Sequence, residues 1–207
     1  MLENFLATIK NDPNSILALF GVLILICAFI YMKKVKMTTR VLVQVALMIA
    51  LTVILHMIRL YHMPQGGSVT LGAMVPLLFV AFAYGPAVGY LAGFCYGLLS
   101  LLQDPFILSP IQVLFDYPLP YMAIGLAGYF KRNIYLGAAI GIFGRFICHF
   151  ISGAVFFGSY APAGMNPYWY AFIFNATYLL PELIICLIIL KVLPVKRLLN
   201  QMTANQQ

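Results

Sequence analysis

Charge is what this sequence has least of. Of its 207 residues only 8% are Asp, Glu, Lys or Arg, and five are acidic. An ordinary soluble domain carries about 25%. So little charge cannot solvate a globule of this size, which excludes a water-soluble domain. Metal-ligand spacing is also missing. Cys27, Cys95, Cys148 and Cys186 each lie inside an apolar run, with no CxxC or Cys/His pattern. They read as small apolar residues, neither disulfides nor ligands, and no metal or cofactor is expected. There is no Walker motif, HExxH or GxSxG, so the chain itself offers neither an ATPase nor a recognisable hydrolase. No basic run interleaved with aromatics points to nucleic acid.

What is present is hydrophobic residues, 63% of the total. In lipid that composition is expected, because most of the surface meets acyl chains. A helix needs roughly 20 apolar residues to cross the hydrocarbon core. By that rule the spans fall near 15–33, 40–61, 70–84, 86–102, 109–129, 134–158 and 167–191. The third is short and ends at Gly85-Pro86, a turn signal. Residues 1–36 could be a signal peptide. Yet Glu3 and Asp12 flank Lys10, the run Ile16 to Met32 is long, and Lys33, Lys34 and Lys36 follow it. A retained helix fits those features better.

Lys33, Lys34, Lys36 and Arg40, then Lys131 and Arg132, then Lys191, Lys196 and Arg197 cluster at span ends that fall on one side. The net charge of +7 is thereby explained as orientation, with that side cytoplasmic, the N-terminus outside and the C-terminus inside. Lys10 and Arg59 are exceptions on the outer side. The outer loops are then 62–69, 103–108 and 159–166.

Polar residues inside a membrane are functional candidates by default. At a helical rise of ~1.5 Å per residue, Asp116 lies ~10 Å, His149 ~13 Å, Asn175 ~12 Å and Tyr96 ~9 Å below the outer ends of their spans. One level shared by four helices describes a pocket open to the outside. Separate interhelical hydrogen bonds are the alternative. Phe156, Phe157, Tyr160, Tyr168, Trp169 and Tyr170 crowd the outer ends of the last two spans. An interfacial belt explains some of them; rings beside a carboxylate also suit a flat cation.

Arg145 and Glu182 come out deeper, at ~20 and ~22 Å, on spans joined by a short loop. They are expected to pair beneath the pocket, with a proton relay as the alternative. The loop from His62 through Gly66, Gly67 and Ser68 is glycine-rich without P-loop spacing. It is either a lid or an inert connector. Ala46 and Ala50 form a small-xxx-small pattern on the second span, suited to close helix approach.

Three stretches carry a family resemblance: Pro64–Pro76 (PQGGSVTLGAMVP), Ser109–Leu119 (SPIQVLFDYPL), and His149–Ala161 (HFISGAVFFGSYA) continuing through Tyr170 to Asn175. From about Thr39 to Lys196 the chain resembles the thiamine-specific S component (ThiT family) of energy-coupling factor (ECF) transporters. That implies an all-α integral membrane protein, a six-helix S-component bundle at 37–197 preceded by one extra N-terminal transmembrane helix within 1–36 and followed by a cytoplasmic tail, 198–207. It implies a non-enzymatic, thiamine-binding membrane subunit in the bacterial plasma membrane. Its partners would be an ECF transmembrane subunit and two ATPase subunits. On the residues of this chain, Asp116, Tyr117, His149, Tyr170, Asn175, Tyr96 and Phe157 would bind the vitamin. The loop at Gly66, Gly67 and Ser68 would cap it, and Ala46 and Ala50 would dock the partner. Some members have Glu at the place of Asp116, Trp at that of Phe157, and a Trp near Gly67. Another flat vitamin or precursor (hydroxymethylpyrimidine, riboflavin), a stand-alone secondary carrier, and an intramembrane enzyme using Asp116 and His149 remain open as alternatives.

Overall fold

The structure, a computed structural model, describes residues 13–33 and 37–204. Lys10, Lys34 and Lys36 of the orientation argument lie outside the described residues. The chain is helical almost throughout. In order it forms α1 (Pro13–Met32), α2 (Thr39–Met57), a small hairpin of β1 (Arg59–His62) and β2 (Ser68–Thr70), and α3 (Val75–Tyr84). Then follow α4 (Pro86–Gln103), α5 (Pro110–Asp116), α6 (Pro118–Ala123) with a 3-10 turn Ile124–Phe130, α7 (Ile134–Phe156), α8 (Pro167–Val192) and α9 (Val195–Thr203). Among the described helices α2, α4, α7 and α8 are long and apolar enough to cross a bilayer; Ile16–Met32 and Val75–Tyr84 are shorter apolar helices. The protein is an all-α integral membrane protein.

Local chemistry sets the helix starts. Ser109, Asn133 and Asn166 cap α5, α7 and α8 by accepting the backbone N–H of Gln112, Leu136 and Tyr168. Pro86, Pro110, Pro118 and Pro167 occupy first-turn positions, where a missing N–H is harmless. The expected span 109–129 is broken at Tyr117, because Pro118 disfavours helical geometry in the residue before it. Gly85, at φ 93°, is the whole connection between α3 and α4.

Packing in lipid relies on close approach, since acyl chains are as apolar as leucine. A Cβ at Gly93 would stand 2.1 Å from the Tyr121 carbonyl oxygen, and one at Gly97 2.6 Å from that of Tyr117. Those two glycines let α4 lie directly on α6. Helix α1 leans on α4 through an edge-on Phe29–Phe94 contact, with ring centroids 5.0 Å apart. It leans on α5 at Gly21, whose missing side chain admits Leu114.

Two further span expectations need correction. The span 40–61 ends at Met57, and the chain turns into β1. The span 70–84 starts as helix only at Val75. Before it, β2 is wholly buried, so the strand descends into the bundle rather than lying across its end. The boundary at 197/198 falls inside α9, whose Met202 is buried while Tyr84 donates to its carbonyl at 3.2 Å. Residues 198–203 thus pack as the end of an amphipathic helix.

Candidate ligand-binding site

At the hairpin end of the bundle a cavity opens between α5, α7, α8 and the hairpin. Its interior leaves about 70 Å³ for the centres of water-sized groups.

Its polar wall is one connected network. Helix α5 supplies Asp116. Gln112, one turn earlier on the same face, donates its Nε2–H to Asp116 Oδ2. His149 of α7 meets Asp116 Oδ1 with Nδ1 at 3.3 Å. Arg145, one turn before His149, donates Nε–H to His149 Nε2 at 3.3 Å. An accepting Nε2 leaves the neutral imidazole proton on Nδ1, facing Asp116. The wall therefore runs from guanidinium through imidazole to carboxylate. Asn175 of α8 donates to the His149 carbonyl at 3.2 Å and accepts from the Tyr178 hydroxyl at 2.8 Å. A Cβ on Gly153 would meet Asn175 at 3.2 Å, so that glycine makes room for the amide.

The apolar wall is aromatic. Phe157 stacks on Phe106 with centroids 5.6 Å apart and planes 26° from parallel. Tyr170 and Phe174 follow along α8. The hairpin turn covers the cavity with Gln65, Gly66, Gly67 and Ser68. Gly66 and Gly67 have φ of 86° and 89°, a region open to glycine. A Cβ at Gly67 would lie 2.9 Å from the Tyr178 ring, so only glycine passes there without displacing it.

Of the residues singled out in the sequence, Asp116, Tyr117, His149, Tyr170, Asn175, Phe157, Gly66, Gly67 and Ser68 line this cavity. Tyr117 does so with its hydroxyl already engaged. It donates to the Asp104 carbonyl at 2.9 Å and accepts from Phe106 N–H at 2.7 Å. Tyr96 does not reach the wall. It is fully buried, hydrogen-bonded to His56 Nδ1 and packed edge-on against Tyr121. His56, which does line the cavity, takes the place expected for it. Ala46 and Ala50 sit far from the cavity, on the exposed face of α2.

The expected Arg145–Glu182 ion pair is absent. Glu182 instead accepts from Thr70 through both its N–H and its hydroxyl, each at 2.7 Å. Arg145 lies over the Tyr121 ring, 4.6 Å from its centroid, and is 3.4 Å from its hydroxyl. Depth alone could not separate these outcomes. The strand that enters beside α8 brings backbone donors to the level where an arginine was expected.

Sequence reading missed Gln112, Arg145 and Tyr178 as cavity residues. Helical spacing would have found them, three or four positions from Asp116, His149 and Asn175 on the same faces. Asp104 and Phe106 lie in an irregular loop, where no periodicity marks them.

The family described as Thiamine transporter protein (Thia_YuaJ) matches residues 42–201. Thiamine transporter ThiT of Bacillus subtilis strain 168 is 36% identical over 168 residues, 72% of this chain and 87% of that protein. Thiamine transporter ThiT of Lacticaseibacillus paracasei is 29% identical over 140 residues, 58% of this chain and 70% of that protein. The solved structure of ThiT from Listeria monocytogenes superposes with a TM-score of 0.69 at 25% identity, covering 76% of this chain and 93% of its own. The family match begins within α2, leaving α1 outside it. This chain belongs to the thiamine transporter protein family.

Proposed function

We propose that this protein is the thiamine-binding S component of an ECF-type uptake transporter. It would capture the vitamin from the outside, with its N-terminus outside and C-terminus cytoplasmic. The observation that carries the proposal is the Asp116 carboxylate, set between hydrogen-bonding groups and a wall of rings in one cavity. Thiamine has a permanently cationic thiazolium and a flat aminopyrimidine. Asp116 supplies the counter-charge, strengthened where water is scarce. Phe157 and Phe106 offer faces for stacking and cation–π attraction. His149, Asn175 and Tyr170 address the polar edges, and Tyr96 acts only by holding His56. No residue has to make or break a covalent bond. ATP hydrolysis belongs to two partner ATPases, and docking to the transmembrane partner would use the Ala46 and Ala50 face of α2.

Purified protein titrated with thiamine should show quenching of its tyrosine and tryptophan fluorescence at submicromolar concentration. Riboflavin and hydroxymethylpyrimidine should compete weakly. Tighter binding of either would reassign the ligand. Uptake into vesicles should require co-reconstituted ATPase and transmembrane subunits. Full uptake by the chain alone would make it a secondary carrier instead.

A further inference from the structure

Arg59 stands apart from the basic clusters at the opposite end of the bundle, and the binding network above does not use it. Arg59 Nη1, on β1, lies 3.0 Å from Asp104 Oδ2, in the loop after α4. Asp104 lines the cavity, as do the hairpin residues Gln65 to Ser68. The ion pair thus joins the two lips of the mouth.

The two lips are held very differently. The Asp104 side is stapled from within. Tyr117 binds the Asp104 carbonyl and the Phe106 N–H. Gln112 donates to the Phe106 carbonyl and accepts from Leu108 N–H, both at 3.0 Å. The hairpin is anchored at its base, where Thr70 meets Glu182. Its register is irregular between Arg59 and Tyr61, and its turn runs through two glycines at positive φ. Within the hairpin, His62 Nδ1 faces Ser68 Oγ at 2.9 Å and Arg59 Nη1 at 3.2 Å, which aims the guanidinium toward Asp104.

We propose that Arg59 and Asp104 form a latch, a positioning pair that holds the hairpin cover against the fixed Asp104 loop and sets how fast the ligand leaves. The release assay rests on the thiamine reading above; the latch itself does not. Both side chains are partly exposed, at 27% and 34%. A pair so placed is expected to change the opening equilibrium by about 2- to 5-fold.

The test uses the full-length protein in nanodiscs, as wild type, Arg59→Gln, Asp104→Asn, and the swap Arg59→Asp with Asp104→Arg. Stopped-flow fluorescence should show thiamine release about 2- to 5-fold faster in each single variant and restored slow release in the swap. Hydrogen–deuterium exchange of residues 59–70 in the ligand-free protein should rise in the single variants and fall back in the swap. Exchange that is unchanged, or a swap that stays as open as the singles, overturns the latch whatever ligand the cavity takes. Absence of thiamine binding by wild type, with exchange behaving as expected, overturns the ligand reading and leaves the latch standing.

Discussion

Replacing Asp116 by Asn removes a charge while keeping most of the local bonding. The amide oxygen can still accept from Gln112 or from the His149 Nδ1–H, so the packing of α5 against α7 should persist. What disappears is attraction for a cation. A unit charge roughly 5 Å away, at an effective dielectric of about 20, gains about 3 kcal/mol from the carboxylate. Arg145, one imidazole further along the wall, offsets part of that field. The net loss is then about 1.5–3 kcal/mol, or about 10- to 150-fold in Kd. The assay is calorimetric titration with thiamine and with a neutral isostere whose thiazolium is replaced by thiophene. Thiamine should weaken by that factor, whereas the isostere should change by no more than about fivefold, the scale of one neutral hydrogen bond of about 1 kcal/mol. Equal weakening of both ligands would refute the counter-charge role and leave Asp116 as a hydrogen-bond acceptor. An unaltered thiamine Kd would refute any role in binding.

Glu182→Ala strips Thr70 of its acceptor, leaving a buried N–H and a buried hydroxyl hydrogen without one, although the hydroxyl oxygen still accepts from Ala73; a loss of about 2–4 kcal/mol should appear in thermal melting, with Glu182→Gln milder. Gly67→Ala adds a Cβ at φ 89° and 2.9 Å from Tyr178. That should weaken thiamine binding by roughly tenfold and lower melting by a few degrees, following about 1–2 kcal/mol of backbone strain in the turn. Phe157→Trp enlarges the ring surface facing the cavity and should tighten thiamine, but not the neutral isostere, by about 2- to 5-fold.

The membrane setting was legible because apolar run length reports on bilayer thickness, whereas helix ends were not. The grouping of Asp116, His149 and Asn175 was legible from depth, since the helical rise converts sequence position into height. Azimuth was not. Tyr96 has the right height but points into the α4–α6 packing, where Tyr121 and His56 hold it. Glu182 and Arg145 share a height and face different neighbours. The hairpin departs most clearly from the pattern, because Arg59–Tyr61 follows the apolar run of α2 without a helix breaker, yet its backbone pairs with Ser68–Thr70. Asp104 sits in a loop whose order comes from Tyr117 and Gln112, residues with no sequence pattern linking them to it.

Helix α1 meets α5 at Gly21, against Leu114 and the fully buried Phe115, immediately before the carboxylate of Asp116. It thereby works as a buttress behind the charged wall. The flank that would otherwise touch acyl chains is sheathed by protein, so the acid stands in a shell of side chains although it belongs to a membrane helix. Bilayer thinning or a change of lipid headgroup should consequently reach this carboxylate only after α1 itself has shifted.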